Sequence, residues 1–119
     1  MKLCILVAYG KDNVDKATIG LTFANAALEA KHEVDLVLVS EGVRLAVKGY
    51  ADDMNNGEPF KPVKQLLEGT SQKGVVLHVC MPCVQKRKID EKSLSEPIHK
   101  VTGPDVIQIL AESDRSIQL

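Results

Sequence analysis

The sequence has few aromatic residues, with no Trp, two Tyr and two Phe among 119 residues. Proteins that bind single-stranded nucleic acids stack the bases on such side chains, so the composition argues against a base-stacking platform. The charges are balanced, with 15 Lys and Arg against 16 Asp and Glu, which gives a net charge of −1. Nucleic acids and anionic membranes attract proteins with a clustered excess of positive charge. We therefore predict no nucleic-acid partner and no membrane partner.

Long hydrophobic runs are also missing. The apolar run at residues 3–8 is shorter than the hydrophobic region of a signal peptide and much shorter than a membrane span. It is typical of a buried strand, and we expect a cytoplasmic protein. The three cysteines do not make a disulfide framework in such a compartment. A close pair of cysteines there is typical of redox chemistry or metal binding.

Short apolar runs alternate with helical patterns along the whole chain. The predicted strands cover residues 3–8, 33–39, 75–80, 98–101 and 116–119, and the predicted helices cover 15–31, 40–47, 60–68 and 102–112. This alternation indicates an α/β fold with a mostly parallel sheet and helices on both faces. The length suits one domain, which we place at residues 1–119. In such sheets, ligand sites lie at the carboxyl ends of the strands.

The first predicted helix carries two apolar stripes on roughly opposite sides. The first stripe consists of Ala17, Leu21, Ala24 and Leu28, and the second of Ile19, Phe23, Ala26 and Ala30. A polar strip separates them and consists of Thr18, Thr22, Asn25 and Glu29. One apolar stripe can pack on the sheet, whereas the other needs cover from a neighbouring helix or from another subunit. The doubled pattern therefore makes oligomerisation a hypothesis.

A Cys-x-Pro-Cys motif, formed by Cys80 and Cys83, follows the third predicted strand. Pro82 stiffens the turn and helps to hold the two sulfurs within bonding distance. A thiolate is the reactive form of cysteine, and nearby cations or a helix amino terminus lower the pKa of a thiol. Lys86 and Arg87 follow the motif. We expect these two cations to lower the pKa of the thiol.

Three chemistries fit this pair. The first is sulfur relay through a persulfide on Cys80, and the second is dithiol–disulfide exchange between Cys80 and Cys83. The third is zinc binding, which normally takes four ligands and would need His78 and His99 as well. This spacing matches no common zinc module, so we predict neither a metal nor another cofactor. His78 lies on the same strand face as Cys80 and can orient its thiolate, whereas Cys4 is expected in the core.

Several segments resemble the DsrE/DsrF-like proteins. They are residues 42–50 (GVRLAVKGY), 59–62 (PFKP), 79–83 (VCMPC) with the following Lys86 and Arg87, and the closing 114–117 (DRSI). The resemblance spans nearly the whole chain. It implies a DsrEFH-like, three-layer α/β/α fold that is flavodoxin-like in appearance, with a parallel sheet of about five strands. It also implies oligomers, often trimers or hexamers, and we predict a homo-oligomer.

The resemblance also implies a chemistry. Some members of the family carry sulfur as a cysteine persulfide, and Cys80 matches the position of the sulfur-carrying cysteine. Cys83 matches a second cysteine that occurs in only some branches, where it can resolve a persulfide or form a disulfide. We predict sulfur relay from a protein donor to a protein acceptor through Cys80, with His78, Lys86 and Arg87 in support. The alternatives are a thiol–disulfide oxidoreductase and a non-catalytic oligomeric binding protein.

Overall fold

The structure, a computed structural model, describes residues 1–119 and contains one five-stranded sheet. The strands are β1 (Lys2–Val7), β2 (Glu33–Leu38), β3 (Leu77–Cys80), β4 (Ile98–Val101) and β5 (Arg115–Gln118). The helices are α1 (Val14–Glu29), α2 (Val63–Gln72), α3 (Met81–Lys86) and α4 (Gly103–Glu112). All neighbouring strands pair in parallel, so the predicted α/β class is confirmed.

The sheet has the strand order β4-β3-β2-β1-β5. The chain moves stepwise from β1 to β4 and then returns across the sheet to β5. Because parallel crossovers are right-handed, α1, α2 and α3 cover one face of the sheet and α4 covers the other. These are the predicted three layers. The strand order differs from the 2-1-3-4-5 order of flavodoxin-like sheets, so the likeness to that fold lies in the layers.

The hydrophobic core lies between the sheet and the layer of α1, α2 and α3. It forms one cluster of 18 buried residues. The strands contribute Ile5, Val7, Leu36, Leu38 and Val79, and the helices contribute residues that include Leu21, Val63, Leu66 and Val84. On the opposite face Cys4 is buried, as expected, but α4 has no fully buried residue. None of the helices is long and apolar enough to cross a lipid bilayer.

The polar strip of α1, and not its second apolar stripe, packs against α2. Thr18 is fully buried, and the Asn25 side-chain amide donates to the carbonyl of Leu66 at 3.1 Å. The Thr18 and Thr22 hydroxyls donate to carbonyls four residues earlier on α1, which satisfies them without water. The second apolar stripe is not packed against α2, and its Phe23 side chain is 45% exposed to solvent. No helix of the chain therefore covers Phe23 fully.

Three predicted elements differ from the observed ones, two in their first residue and one in its type of helix. The helix predicted at 60–68 begins at Val63, because Pro62 is its N-cap residue. The third strand begins at Leu77 and not at residue 75. The helix predicted at 40–47 is a 3₁₀ segment, Ser40–Ala46, which we call the β2 turn because it follows β2. Its N-cap residue is Val39, although the Ser40 side chain favours that position.

Candidate functional site

Cys80 and Cys83 lie at the carboxyl end of β3. Cys80 is the last residue of the strand and the N-cap residue of α3, and Pro82 lies in the first turn of that helix. The Cys83 thiol and the Cys83 backbone N–H both lie close enough to Cys80 to influence the pKa of its thiol, so the two cysteines are near neighbours. Both thiols are free and partly buried. The strand end and the first helical turn thus place the two cysteines next to each other in the fold.

A third group contacts this pair from the neighbouring strand. The backbone N–H of Ser40, at the start of the β2 turn, donates to the Cys83 sulfur at 3.2 Å. Ser40 has a left-handed backbone conformation with φ of 52°. Non-glycine residues rarely adopt this conformation, and it persists where the surroundings hold it in place. The contact between β2 and Cys83 is therefore imposed by the packing of the β2 turn.

Arg87 joins the β2 turn to α3. Its side chain is only 15% exposed, and its Nε donates to the Glu41 carboxylate. Its two terminal nitrogens donate to the Cys83 carbonyl and the Ser40 hydroxyl, each at 3.2 Å. Glu41 also accepts from Arg44 at 2.8 Å. We call this cluster, formed by Ser40, Glu41 and Arg87, the arginine clamp. No sequence motif indicated this role for Ser40 and Glu41, because they lie 47 and 46 residues from Arg87 along the chain.

The β2 turn is pressed onto the end of β1. A Cβ atom at Gly42 would lie 2.1 Å from the Val7 carbonyl oxygen, so no larger residue fits without displacing backbone. That same oxygen accepts the backbone N–H of Val39 at 3.1 Å. The close approach at Gly42 fixes the position of the preceding Ser40 and Glu41 relative to the sheet.

Burial raises the pKa of the Cys80 thiol, and the Cys83 thiol beside it acts in the same direction. The Cys83 backbone N–H and the Arg87 guanidinium act in the opposite direction, but they do not outweigh burial. The expected lowering of this pKa is therefore not found. Arg87 has the expected sign of effect, whereas Lys86 is exposed and is not among the groups that shift the pKa of Cys80.

The structure places His78 in a different cluster from the two cysteines. Its Nε2 atom lies 3.1 Å from the Asp35 carboxylate, and its ring packs against His99 with the ring centroids 4.9 Å apart. Its Nδ1 atom is buried without a hydrogen-bond partner. No hydrogen bond connects His78 to Cys80, so no direct contact supports the predicted role of His78 in orienting the Cys80 thiolate. No group of three or more His, Cys, Asp or Glu side chains is arranged to hold a metal ion.

The Glu41 carboxylate makes the stability of the protein depend on pH. Hydrogen bonds from Arg87 and Arg44 lower its pKa from the ordinary value of 4.5. A depressed pKa in the folded state contributes stability above the unfolded value, and this stability is lost as the pH falls through the folded value. We expect the stability difference between wild type and Glu41→Gln to be largest above pH 4.5 and to shrink below it.

Urea denaturation at a series of pH values measures this difference. Glu68→Gln is the matched control, because Glu68 is exposed and forms no ion pair. Its difference from wild type should not follow the pattern seen at Glu41. A Glu41→Gln difference that stays constant down to acidic pH would contradict the assignment.

Comparison with known proteins gives consistent matches over the whole chain. The sequence pattern that defines the DsrE/DsrF-like family matches residues 1–119. The uncharacterized protein MJ0989 of Methanocaldococcus jannaschii is 29% identical over 117 residues, which cover 98% of each chain. The crystal structure of the ychN protein from E. coli superposes with a TM-score of 0.76 at 22% identity and covers 100% of both chains. The MTH1491 structure from Methanobacterium thermoautotrophicum, a protein of unknown function, has a TM-score of 0.68 at 16% identity and covers 99% of this chain and 98% of its own.

Proposed function

The chain belongs to the DsrE/DsrF-like family, and on this basis we propose that it carries sulfur as a persulfide on Cys80, between a protein donor and a protein acceptor. The observation that supports this proposal is the position of Cys80. Cys80 is the last residue of β3, so it lies at the carboxyl ends of the strands, where parallel sheets bind their ligands. Its side chain is partly exposed, and a second thiol lies beside it.

The proposed transfer has two steps. The Cys80 thiolate attacks the outer sulfur of the donor persulfide, and the donor cysteine leaves as a thiolate. A thiolate of the acceptor protein then attacks the outer sulfur on Cys80, and Cys80 leaves as a thiolate in its turn. Because the pKa of Cys80 is raised, its proton has to leave before the first step.

The second candidate is a thiol–disulfide oxidoreductase. The position of both free thiols at the start of α3 favours it, because a close pair of thiols can form a disulfide. In this function Cys80 and Cys83 exchange electrons with a partner dithiol and no sulfur atom is transferred.

Sulfur loading of the Cys83→Ser variant tests the proposal. After incubation with a low-molecular-weight persulfide without oxygen, we expect the variant to gain one sulfur atom by intact-protein mass spectrometry, with the gain located at Cys80. The substitution removes the second thiol, so a loaded sulfur cannot be displaced by it. The Cys80→Ser variant is the matched control and should gain none.

The two candidate functions give different outcomes. If Cys83→Ser remains unmodified, persulfide carriage on Cys80 is wrong. If wild type then reacts with a small disulfide and loses two hydrogen atoms, the oxidoreductase replaces it as the function.

We also propose that the chain forms a homo-oligomer, a trimer or a hexamer. The open apolar stripe of α1 supports this, since Phe23 is 45% exposed although it lies among other apolar residues of the helix. On α4 Ile107 is 65% exposed. Exposed apolar surfaces of this kind are typical of contacts between subunits.

A further inference from the structure

The two cysteines have different surroundings, although they share one short motif. The Cys83 sulfur receives the Ser40 N–H from outside the motif, and Arg87 holds the Cys83 carbonyl. The Cys80 sulfur has no such donor from β2 or from the β2 turn. A relay through Cys80 alone needs none of the contacts at Cys83. The contacts at Cys83 therefore indicate a step in which Cys83 reacts and which a relay through Cys80 alone does not include.

We propose that this protein releases the sulfur of its own Cys80 persulfide as hydrosulfide, with Cys83 as the attacking thiol and the arginine clamp as the device that positions it. This activity rests on the proposed function, because it starts from the persulfide on Cys80.

The chemistry of release is an internal displacement. The Cys83 thiolate attacks the inner sulfur, which is the Sγ atom of Cys80, and forms the Cys80–Cys83 disulfide. The bond between that Sγ atom and the outer sulfur breaks, and the outer sulfur leaves as hydrosulfide with the electron pair of this bond. The two cysteines are oxidised and the outer sulfur is reduced. A dithiol reductant must then reduce the disulfide by exchange before the next cycle.

The Ser40 N–H favours this direction of attack. The backbone donor at 3.2 Å holds the Cys83 sulfur at a fixed position beside the start of α3. Burial disfavours the thiolate on Cys80, where the persulfide is carried. The attacking sulfur is therefore the one that has the fixed donor.

The arginine clamp holds that donor in place. Arg87 reaches Ser40 and Cys83 with separate nitrogens of one guanidinium group, and Glu41 fixes the orientation of the group. A lysine has one charged nitrogen and cannot reproduce this planar, forked geometry. Arg87→Lys therefore keeps the positive charge but loosens the link between the β2 turn and α3.

The first experiment measures products. Wild type is incubated with a low-molecular-weight persulfide without oxygen, and both hydrosulfide and intact mass are followed. We expect one hydrosulfide for each Cys80–Cys83 disulfide, seen as the loss of two hydrogen atoms. Cys83→Ser should keep the extra sulfur and release hydrosulfide no faster than Cys80→Ser, which reports the decay of the reagent itself.

The second experiment tests the clamp. In Arg87→Lys and Glu41→Gln we expect hydrosulfide release to slow by about tenfold, because the Cys83 sulfur has lost a fixed donor. When the Cys83→Ser change is added, sulfur loading of Cys80 should remain. Gln85→Ala is the matched control, since Gln85 is exposed on the same helix. Slower release with loading retained separates positioning of Cys83 from a general loss of structure.

The outcomes distinguish this inference from the function it rests on. If Cys83→Ser gains sulfur but wild type holds its sulfur without releasing hydrosulfide, release is wrong and carriage stands. A persulfide found on Cys83 in wild type means that Cys83 attacks the outer sulfur, which also overturns release. If no variant gains sulfur and no hydrosulfide appears, the proposed function itself fails. Unchanged rates of hydrosulfide release in both clamp variants would remove the clamp from the proposal.

Discussion

Replacement of Gly42 by alanine is expected to lower the free energy of unfolding by about 3 kcal/mol or more, at the upper end of the range for overpacked sites. The added methyl group would lie 2.1 Å from the carbonyl oxygen of Val7. This oxygen belongs to the backbone of β1 and already accepts the N–H of Val39, so it has little freedom to move. The β2 turn must lift from the sheet, which also moves Ser40 and Glu41 away from Cys83.

Urea denaturation of the reduced protein measures this effect. The transition midpoint should fall while the slope of the free energy against urea concentration stays the same. Gly103→Ala is the matched control, because nothing lies within 4 Å of its added methyl group. It should change the stability by no more than about 0.5 kcal/mol. Equal stabilities of Gly42→Ala and wild type would show that the β2 turn does not approach β1 as closely as described.

Replacement of Phe23 by glutamate is expected to reduce the protein from an oligomer to single chains. Phe23 lies at the centre of the open stripe on α1, with Ile19 one turn before it and Ala26 one turn after it. If a second subunit covers this stripe, the substitution places an unpaired carboxylate in an apolar contact. Within the chain Phe23 is 45% exposed, so the fold of each subunit should survive.

Light scattering coupled to gel filtration measures the mass, and circular dichroism checks that the helices remain. Gln65→Glu introduces the same acidic side chain on the exposed side of α2 and should leave the mass unchanged. A wild-type mass equal to that of one chain would end the oligomer hypothesis. An oligomer that persists in Phe23→Glu would place the interface on another surface.

The fold was largely predictable because the apolar runs are short and regularly spaced. The fourth strand was predicted at its observed limits, Ile98–Val101, and the helix predicted over residues 102–112 is observed at Gly103–Glu112 with Thr102 as its N-cap residue. The orientation of α1 was not predictable from periodicity. Thr18 has a polar side chain, yet it is fully buried because its hydroxyl donates to a carbonyl of its own helix. Polarity alone therefore did not indicate which side of α1 faces solvent.

The candidate site was predictable only in part. The position of Cys80 and Cys83 followed from strand order and motif spacing. Glu41 and Arg87 lie 46 residues apart in sequence, and no local pattern connects them. Ser40 was predicted only as the first residue of a helix over 40–47, whereas it adopts a left-handed conformation beside the close packing of Gly42 against β1. The raised pKa of Cys80 likewise depends on burial, which a run of cations does not indicate.

The arginine clamp has a consequence for engineering. The two cysteines occupy one four-residue motif, and such a motif looks easy to transplant into another parallel sheet. A graft of residues 80–83 alone would bring both sulfurs but neither the Ser40 N–H nor the Glu41 carboxylate. The smallest segment pair that could be grafted consists of two adjacent strands. One is β2 with the β2 turn, and the other is β3 with α3 and Arg87. A host scaffold must also offer a glycine-sized gap beside a third strand, as Gly42 requires here.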